Sequence, residues 1–179
     1  MTADRLSSRA AALVIVLTLA SIGSPALAAD PADWRFGPDT PQPINLPPVL
    51  VQSAEFGQLE YDGPPYRALR ADLDGDGVPE YIVQSAPSLC GNGGCVYALF
   101  DGASLRPLGL LFGGSMVVRA APAGRFPIIH ALSHLSAESA SYTTFDYDGR
   151  QYVRGASVEL RGAALEQLVQ ELRRVRPPR

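Results

Sequence analysis

The sequence contains no lysine, so all fifteen of its basic residues are arginines. Set against eighteen acidic residues, they give a net charge of −3 at pH 7. Removal of residues 1–28 would leave thirteen arginines and seventeen acidic residues, a net charge of −4. A nucleic-acid-binding domain carries a basic patch or stripe, and this charge balance excludes nucleic acid as the expected partner.

Histidine is also scarce, and the two histidines, His130 and His134, lie in one β-rich run. Their spacing of four places both on one face of a strand or a helix. The sequence lacks the H-E-x-x-H motif of zinc proteases and the G-x-S-x-G motif of serine hydrolases. We therefore expect no catalytic residues and no enzyme. The alternative hypothesis is a metal-dependent hydrolase that uses His130 and His134.

The two cysteines, Cys90 and Cys95, enclose the sequence GNGG. Three glycines in four residues let the chain reverse tightly enough to bring the two Cα atoms within the bridging range of about 4.4–6.8 Å. The C-x-x-C spacing of redox-active pairs is absent. We predict a disulfide bond that stabilises the protein by roughly 2 kcal/mol, because the loop it closes is short.

The long apolar run of the chain, from Ala10 to Ile22, lies near its beginning. Arg5 and Arg9 precede this run, and the small-residue sequence SPALA ends at Ala28. This order is typical of a secretory signal peptide, whereas a membrane span needs about 20 apolar residues. We predict a signal peptide over residues 1–28, location in the periplasm or outside the cell, and no stable membrane insertion after cleavage. A retained membrane anchor is the competing interpretation.

The most informative segment is DLDGDGVPEYIV, residues 72–83. Asp72, Asp74 and Asp76 alternate with other residues, so their carboxylates can surround one hard cation while the glycines permit a tight turn. The carbonyl oxygen of Val78 and the side chain of Glu80 can complete an oxygen shell. An EF-hand would require glutamate at the twelfth position, where this sequence has valine, so we predict a calcium loop of another class.

The sequence DxDGDGxPE followed at once by an apolar β-run resembles the calcium loops of FG-GAP and VCBS-type repeats, which occur in integrin-like propeller blades and in bacterial envelope proteins. The resemblance covers residues 66–83. It implies a structural calcium ion held by Asp72, Asp74, Asp76, the Val78 carbonyl and Glu80, where the family usually has aspartate. A closed propeller needs at least about four blades of four strands, so the resemblance implies the local loop and not the propeller.

Turn signals recur about every ten residues beyond Val49, which favours an antiparallel all-β arrangement. We predict a mainly β fold, either an antiparallel meander or a two-sheet β domain, with about nine short strands and one C-terminal amphipathic helix. The strands are expected near residues 49–54, 66–71, 79–85, 95–101, 107–112, 115–121, 127–134, 141–147 and 150–155.

The remaining segments complete the predicted organisation of the chain. Residues 29–48 are rich in proline and are expected to form an extended, weakly structured lead-in, in which Trp34 and Phe36 either fasten the segment to the domain or are incidental. Residues 49–176 are expected to form one β domain. Apolar side chains at helical spacing predict a helix over residues 162–174, followed by a tail at 177–179. The helix is expected to cover the sheet, and binding of a partner or membrane surface is the alternative.

These features together predict an exported binding or interaction module with a structural calcium ion. Its partner is expected to be an envelope protein, a polysaccharide or a peptide. Calcium affinity should fall in the range of about 0.1–1 mM that is typical of extracellular modules.

Overall fold

The computed structural model describes residues 33–176 of the chain. The predicted signal peptide and the tail at 177–179 lie outside these residues. The strands are β1 (Trp34–Phe36), β2 (Gln42–Ile44), β3 (Tyr66–Ala71), β4 (Glu80–Gln84), β5 (Cys95–Phe100), β6 (Pro107–Gly113), β7 (Ser115–Val118), β8 (Ile129–His134), β9 (Ser139–Tyr147) and β10 (Tyr152–Arg161). The α-helices are α1 (Pro48–Val51), α2 (Ala54–Gly57) and α3 (Gly162–Arg174), and a 3₁₀ turn covers Pro87–Leu89.

The ten strands form two antiparallel sheets of five strands each. Sheet A has the order β1-β7-β8-β9-β10, and sheet B has the order β2-β3-β4-β5-β6. Strand β6 leads directly into β7 through Gly114, so the chain passes from sheet B to sheet A at that corner. The prediction of a two-sheet β domain with a C-terminal helix is confirmed.

The main core lies between the two sheets. Sheet B contributes side chains such as Ile82, Tyr97 and Leu99, and sheet A contributes side chains such as Met116 and Ile129, all of them fully buried. Successive residues of a strand point to opposite faces, so the neighbours of these residues face outward. The apolar runs of β4 and β5 are continuous because both faces of sheet B are covered.

The outer face of sheet B is covered by α1 and α2, through Leu50 and Phe56. Residues 49–54 were predicted to be a strand, and this prediction is wrong. Pro48 occupies the first turn of α1, a position where proline suits a helix. The Ser53 hydroxyl caps α2 by accepting a hydrogen bond from the Phe56 N–H (3.1 Å). The apolar residues of this segment therefore face the sheet from short helices.

The outer face of sheet A is covered by α3, whose bounds are those predicted from the sequence. Leu165 and Leu172 are buried against Val117, Leu132 and Ala140 of the sheet. Among residues 33–176, no helix combines the length and the apolar character that crossing a membrane requires.

The proline-rich lead-in is more ordered than its composition predicts. Its residues 34–36 form β1 of sheet A, and its residues 42–44 form β2 of sheet B. Phe36 is 1% exposed and contacts Tyr97 edge to face, with 5.3 Å between ring centroids. The lead-in therefore belongs to the domain, and the predicted boundary at residue 49 is wrong.

Candidate metal centre

The acidic loop of residues 72–79 joins the antiparallel neighbours β3 and β4. Gly75 and Gly77 have φ angles of 75° and 89°, in the left-handed region that residues with a Cβ rarely adopt. These two residues let the chain curl back on itself, so that the carboxylates before and after them face a common point.

Asp72 is fixed by the loop backbone. Its Oδ1 accepts a hydrogen bond from the Gly75 N–H (2.7 Å), and its Oδ2 accepts one from the Gly77 N–H (3.0 Å). Asp74 is held in the same way, since its Oδ1 accepts a hydrogen bond from the Asp76 N–H (3.1 Å). Partial burial raises the pKa of Asp74, and the charges of Asp76 and Asp72 raise it further. The loop thus concentrates negative charge in a small volume.

Glu80 is the buried member of the cluster, with only 2% of its surface exposed. Its Oε2 accepts a short hydrogen bond from the Leu73 N–H (2.6 Å), and its Oε1 accepts a longer one from the Gly102 N–H (3.4 Å). Burial raises the pKa of Glu80 to about 7, although these backbone hydrogen bonds oppose the shift; the charge of Asp74 adds to it. A carboxylate is costly in this position unless positive charge compensates it.

Asp72, Asp74 and Glu80 each place one carboxylate oxygen within 4.8 Å of the others. Calcium binds oxygen ligands at about 2.3–2.6 Å, so two ligands of one ion can lie up to about 5.2 Å apart. The three oxygens fit that limit, and an all-oxygen donor set suits a hard cation such as calcium. These residues could therefore hold the ion that the sequence predicts.

The other two predicted ligands, Asp76 and the Val78 carbonyl, do not belong to this group of three. The carboxylate of Asp76 is outside the group of three, and its Oδ1 accepts a hydrogen bond from the Val78 N–H (2.6 Å). The Val78 carbonyl oxygen lies close to Gly102, since a Cβ built on Gly102 would be 2.7 Å from it. The structure thus brings together three of the four predicted acidic residues.

Two neighbouring turns support the loop, and the sequence identifies them only as turns. Gly102, between β5 and β6, donates its N–H to Glu80. Gly124, between β7 and β8, donates its N–H to the carbonyl oxygen of Asp74. The acidic loop is therefore the point where turns from both sheets meet. The Asp101-Gly102 pair and the segment from Pro122 to Gly124 mark turns in the sequence, but they do not reveal the partner.

The predicted disulfide bond between Cys90 and Cys95 is present, with 4.3 Å between the two Cα atoms. Gly91 and Gly94 exchange two backbone hydrogen bonds of 2.9 and 3.0 Å, which close the tight turn. The amide Nε2 of Gln84 lies 3.1 Å from the Cys95 Sγ. Disulfides persist in oxidising compartments, so this bond fits a protein that folds outside the reducing cytoplasm.

The two histidines do not form a metal site with each other. Both belong to β8, where four residues at about 3.3 Å each separate their Cα atoms by about 13 Å. The His130 Nδ1 lies 2.7 Å from the Tyr142 hydroxyl. Burial lowers the pKa of His130, and the charge of Arg119 lowers it further. Within residues 33–176, the group with metal-binding geometry is the acidic one.

Comparisons with protein-family models, with curated proteins and with solved structures find no match for this chain. The function is therefore inferred from the residues and their geometry.

Proposed function

We propose that the protein is an exported binding module in which the acidic loop holds a structural calcium ion. The observation that carries the calcium proposal is the convergence of Asp72, Asp74 and the buried Glu80. Three carboxylates in one small volume repel one another and resist ionisation. A divalent cation among them would reverse that repulsion.

The proposed role of calcium is to hold the loop in place. The loop contacts the β5–β6 turn through Gly102 and the β7–β8 turn through Gly124. An ion bound to Asp72, Asp74 and Glu80 would join the loop to the start of β4 and fix it beneath both turns. Calcium would then stabilise the folded state by fixing the loop against turns of both sheets.

The proposal places the protein in the periplasm or outside the cell. The disulfide bond supports an oxidising compartment, and the sequence of residues 1–28 has the order of a signal peptide. Extracellular fluids supply calcium at concentrations at which modules with dissociation constants of about 0.1–1 mM are loaded.

The proposed partner is a component of the cell envelope, a protein or a polysaccharide. Exposed apolar side chains support a binding role, because such residues mark interaction sites when they lie close together. Phe112 is 47% exposed and Leu135 is 60% exposed. Both side chains line one groove.

Thermal unfolding with and without calcium tests the calcium proposal. A ligand at 10 to 100 times its dissociation constant stabilises a protein by about 1.4–2.7 kcal/mol, which corresponds to about 3–10 °C in Tm for a domain of this size. We expect this gain for the wild type. We expect it to be lost in Asp72→Asn. The amide oxygen of the variant can still accept the Gly75 hydrogen bond, and loss of the Gly77 hydrogen bond lowers the Tm equally with and without calcium.

Asp62→Asn is the matched control, because Asp62 is exposed, lies outside the acidic loop and undergoes the same change of charge. It should keep the full calcium response. Isothermal titration calorimetry should find one calcium site in the wild type and in Asp62→Asn. A wild-type Tm that millimolar calcium and EDTA leave unchanged would contradict the proposal.

A further inference from the structure

A groove opens between strand β6 of sheet B and the inner face of sheet A. Near its beginning, β6 approaches β10 so closely that a Cβ on Gly109 would lie 2.9 Å from the Tyr152 carbonyl oxygen. Beside the next residues of β6, a groove of about 500 Å³ is lined by β6 on one side and by residues of β9 and β10 on the other. Ligand sites commonly have volumes of about 300–1,000 Å³. We call this feature the edge groove; its apolar wall is Leu110, Phe112 and Leu135, and its polar floor is Ser141, Thr143 and Arg154.

Strand β6 forms one wall of the edge groove, and it is the last strand of sheet B. The Val96 carbonyl accepts a hydrogen bond from the Ser85 N–H (2.8 Å), so the polar backbone groups of Val96 point toward β4. Phe112 pairs with Val96 across the β5–β6 ladder. Val96 and Phe112 therefore form a non-hydrogen-bonded pair, in which both residues direct their N–H and C=O groups away from each other. Phe112 therefore presents its backbone donor and acceptor to the groove.

The sequence of β6, PLGLLFG, contains no charged residue. Edge strands are commonly protected against pairing by charges, proline or bulges. In β6 the proline and the register irregularity both occur at its first end, at Pro107 and opposite the Leu99–Phe100 step. The segment from Leu110 to Phe112 has no such protection, so its free edge can pair with an added strand.

Apart from Phe145, the side chains that line the floor of the groove are polar, although they belong to the inner face of sheet A. The Ser157 hydroxyl lies 3.0 Å from that of Ser141 and 2.9 Å from that of Thr143. Arg154 pairs with Phe145 in the β9–β10 ladder, so its side chain leaves the sheet on the core-facing side. The hydroxyls of Ser141, Thr143 and Ser157 lie on that same face.

Arg154 gives the groove a positive charge. Its guanidinium donates a hydrogen bond to the Ser157 hydroxyl (3.3 Å). No carboxylate of residues 33–176 lies within ion-pair distance of it. An arginine over a hydroxyl-rich floor complements a carboxylate on the ligand.

We propose that the edge groove binds an extended, acidic peptide segment of another protein, which adds to sheet B as a strand beside β6. Side chains of a strand alternate between its two faces. One set would contact Leu110 and Phe112, which requires apolar residues. The other set would lie on the hydroxyl floor, where an acidic residue would pair with Arg154. Backbone hydrogen bonds to Phe112 would supply affinity, and the alternation would supply specificity.

This inference rests on the proposed binding role and names the partner class as protein. It does not depend on calcium, because the acidic loop contributes no side chain to the groove. Asp72→Asn should lose the calcium response and keep peptide binding. The variants of the groove described below should keep the calcium response. The two proposals can therefore fail separately.

The experiment begins with selection from a phage-displayed library of random linear peptides of about ten residues, enough for one strand. The bait is the exported full-length chain. We expect enriched sequences that alternate apolar and polar residues and contain an acidic one. Fluorescence polarisation of the synthetic peptides then gives dissociation constants for the wild type and its variants.

Two pairs of variants separate charge from backbone pairing. Arg154→Glu should weaken binding about tenfold or more by reversing the charge at the floor, whereas Arg173→Glu, an exposed arginine of α3, should have no effect. Phe112→Pro removes the backbone donor at an edge position where proline is tolerated and should abolish binding. Phe112→Thr keeps the donor and should bind more tightly than Phe112→Pro.

Hydrogen exchange locates the peptide. The amides of Leu110 and Phe112 should exchange more slowly when the peptide is bound. Failure to enrich any peptide, or equal affinity for the wild type, Arg154→Glu and Phe112→Pro, would overturn the proposal. A wild-type dimer in light scattering that dissociates in Phe112→Pro would also overturn it, because the strand beside β6 would then come from a second copy.

Discussion

Glu80 is both the last acidic residue of the loop motif and the first residue of strand β4. It begins β4 with its carboxylate directed back into the loop, where it bonds to the Leu73 N–H (2.6 Å). An aspartate, one methylene shorter, would have less reach across that distance. The longer side chain thus closes the acidic loop from within the sheet, while Asp72 and Asp74 approach from the loop itself.

Replacing Glu80 with glutamine should separate the electrostatic cost of the loop from its calcium affinity. Glu80→Gln keeps the shape and the acceptor for Leu73, and it loses only the longer hydrogen bond from Gly102. It also removes a buried negative charge, which is costly when uncompensated. Without calcium the variant should melt no lower than the wild type at neutral pH. With calcium it should gain less in Tm than the wild type. A calcium response equal to that of the wild type would show that Glu80 is no ligand.

The ion pair between Asp33 and Arg119 (2.6 Å) gives stability a pH dependence at low pH. Partial burial alone would raise the pKa of Asp33, but the hydrogen bonds from the Ala120 N–H and from Arg119 outweigh burial and lower that pKa. A lowered pKa in the folded state contributes stability above the unfolded value of 3.8, and this stability is lost as the pH falls through the folded value.

Asp33→Asn should therefore lower the Tm at neutral pH, by the equivalent of about 0.2–1 kcal/mol because the pair is partly exposed. The difference in Tm from the wild type should shrink as the pH falls below the pKa of the Asp33 carboxyl in the unfolded chain. Asp62→Asn, which alters an exposed carboxylate, serves as the control in the same melting series. A difference that stays constant across the acidic range would show that the ion pair does not contribute.

At the scale of elements, the long strands were predictable and the short ones were not. Strands β3 to β10 follow apolar or alternating runs between turn signals, and the predicted and observed segments overlap in each case. Strands β1 and β2 have three residues each, too few for periodicity to appear. Their partners are also distant in the sequence, as in the pairing of Trp34 with Val118. Pro43 is accommodated in β2 because that strand forms the edge of sheet B.

The residues of the acidic loop were predictable because their spacing is local, whereas their supports were not. The contact between Gly102 and Glu80 joins residues 22 positions apart in the sequence. No local pattern specifies it. The edge groove escaped prediction for the same reason, since strands β5, β6, β8, β9 and β10 all contribute residues to its lining. The segment 49–54 shows the opposite error, in which a short apolar run fits either a strand or a buried helix.

Gly102→Ala tests the contact between the β5–β6 turn and the acidic loop. The added methyl group would lie 2.7 Å from the Val78 carbonyl oxygen and closer still to that of Pro79. Overpacking of this kind costs about 1–3 kcal/mol. We expect a lower Tm and a weaker calcium response, because the loop must move away from the turn.

Gly63→Ala is the control for the same change, since a Cβ at Gly63 would meet nothing within 4 Å. Its Tm and its calcium response should match those of the wild type. If Gly102→Ala behaved like Gly63→Ala in both measurements, the turn would have no part in positioning the loop.

At the scale of the whole molecule, the described chain has four layers: helices α1 and α2, sheet B, sheet A and helix α3. The lead-in joins these layers by contributing one strand to each sheet. Arg35 extends the connection to the end of α3, since its N–H donates to the Arg176 carbonyl and its Nε donates to the Val175 carbonyl, both at 2.8 Å. The first and last described segments therefore stabilise each other.

Phe36→Ala should show that the lead-in is part of the cooperative fold. Phe36 is 1% exposed and lies in the core shared by both sheets, against Tyr97. Truncation of a buried phenylalanine costs about 3–5 kcal/mol, a large part of the 5–15 kcal/mol or so that stabilises a typical domain. Chemical denaturation should show this loss in a single transition. Phe112→Ala, which truncates a half-exposed phenylalanine, should cost much less. A weakly attached lead-in predicts the reverse: equal small losses for both variants, or a separate early transition in Phe36→Ala.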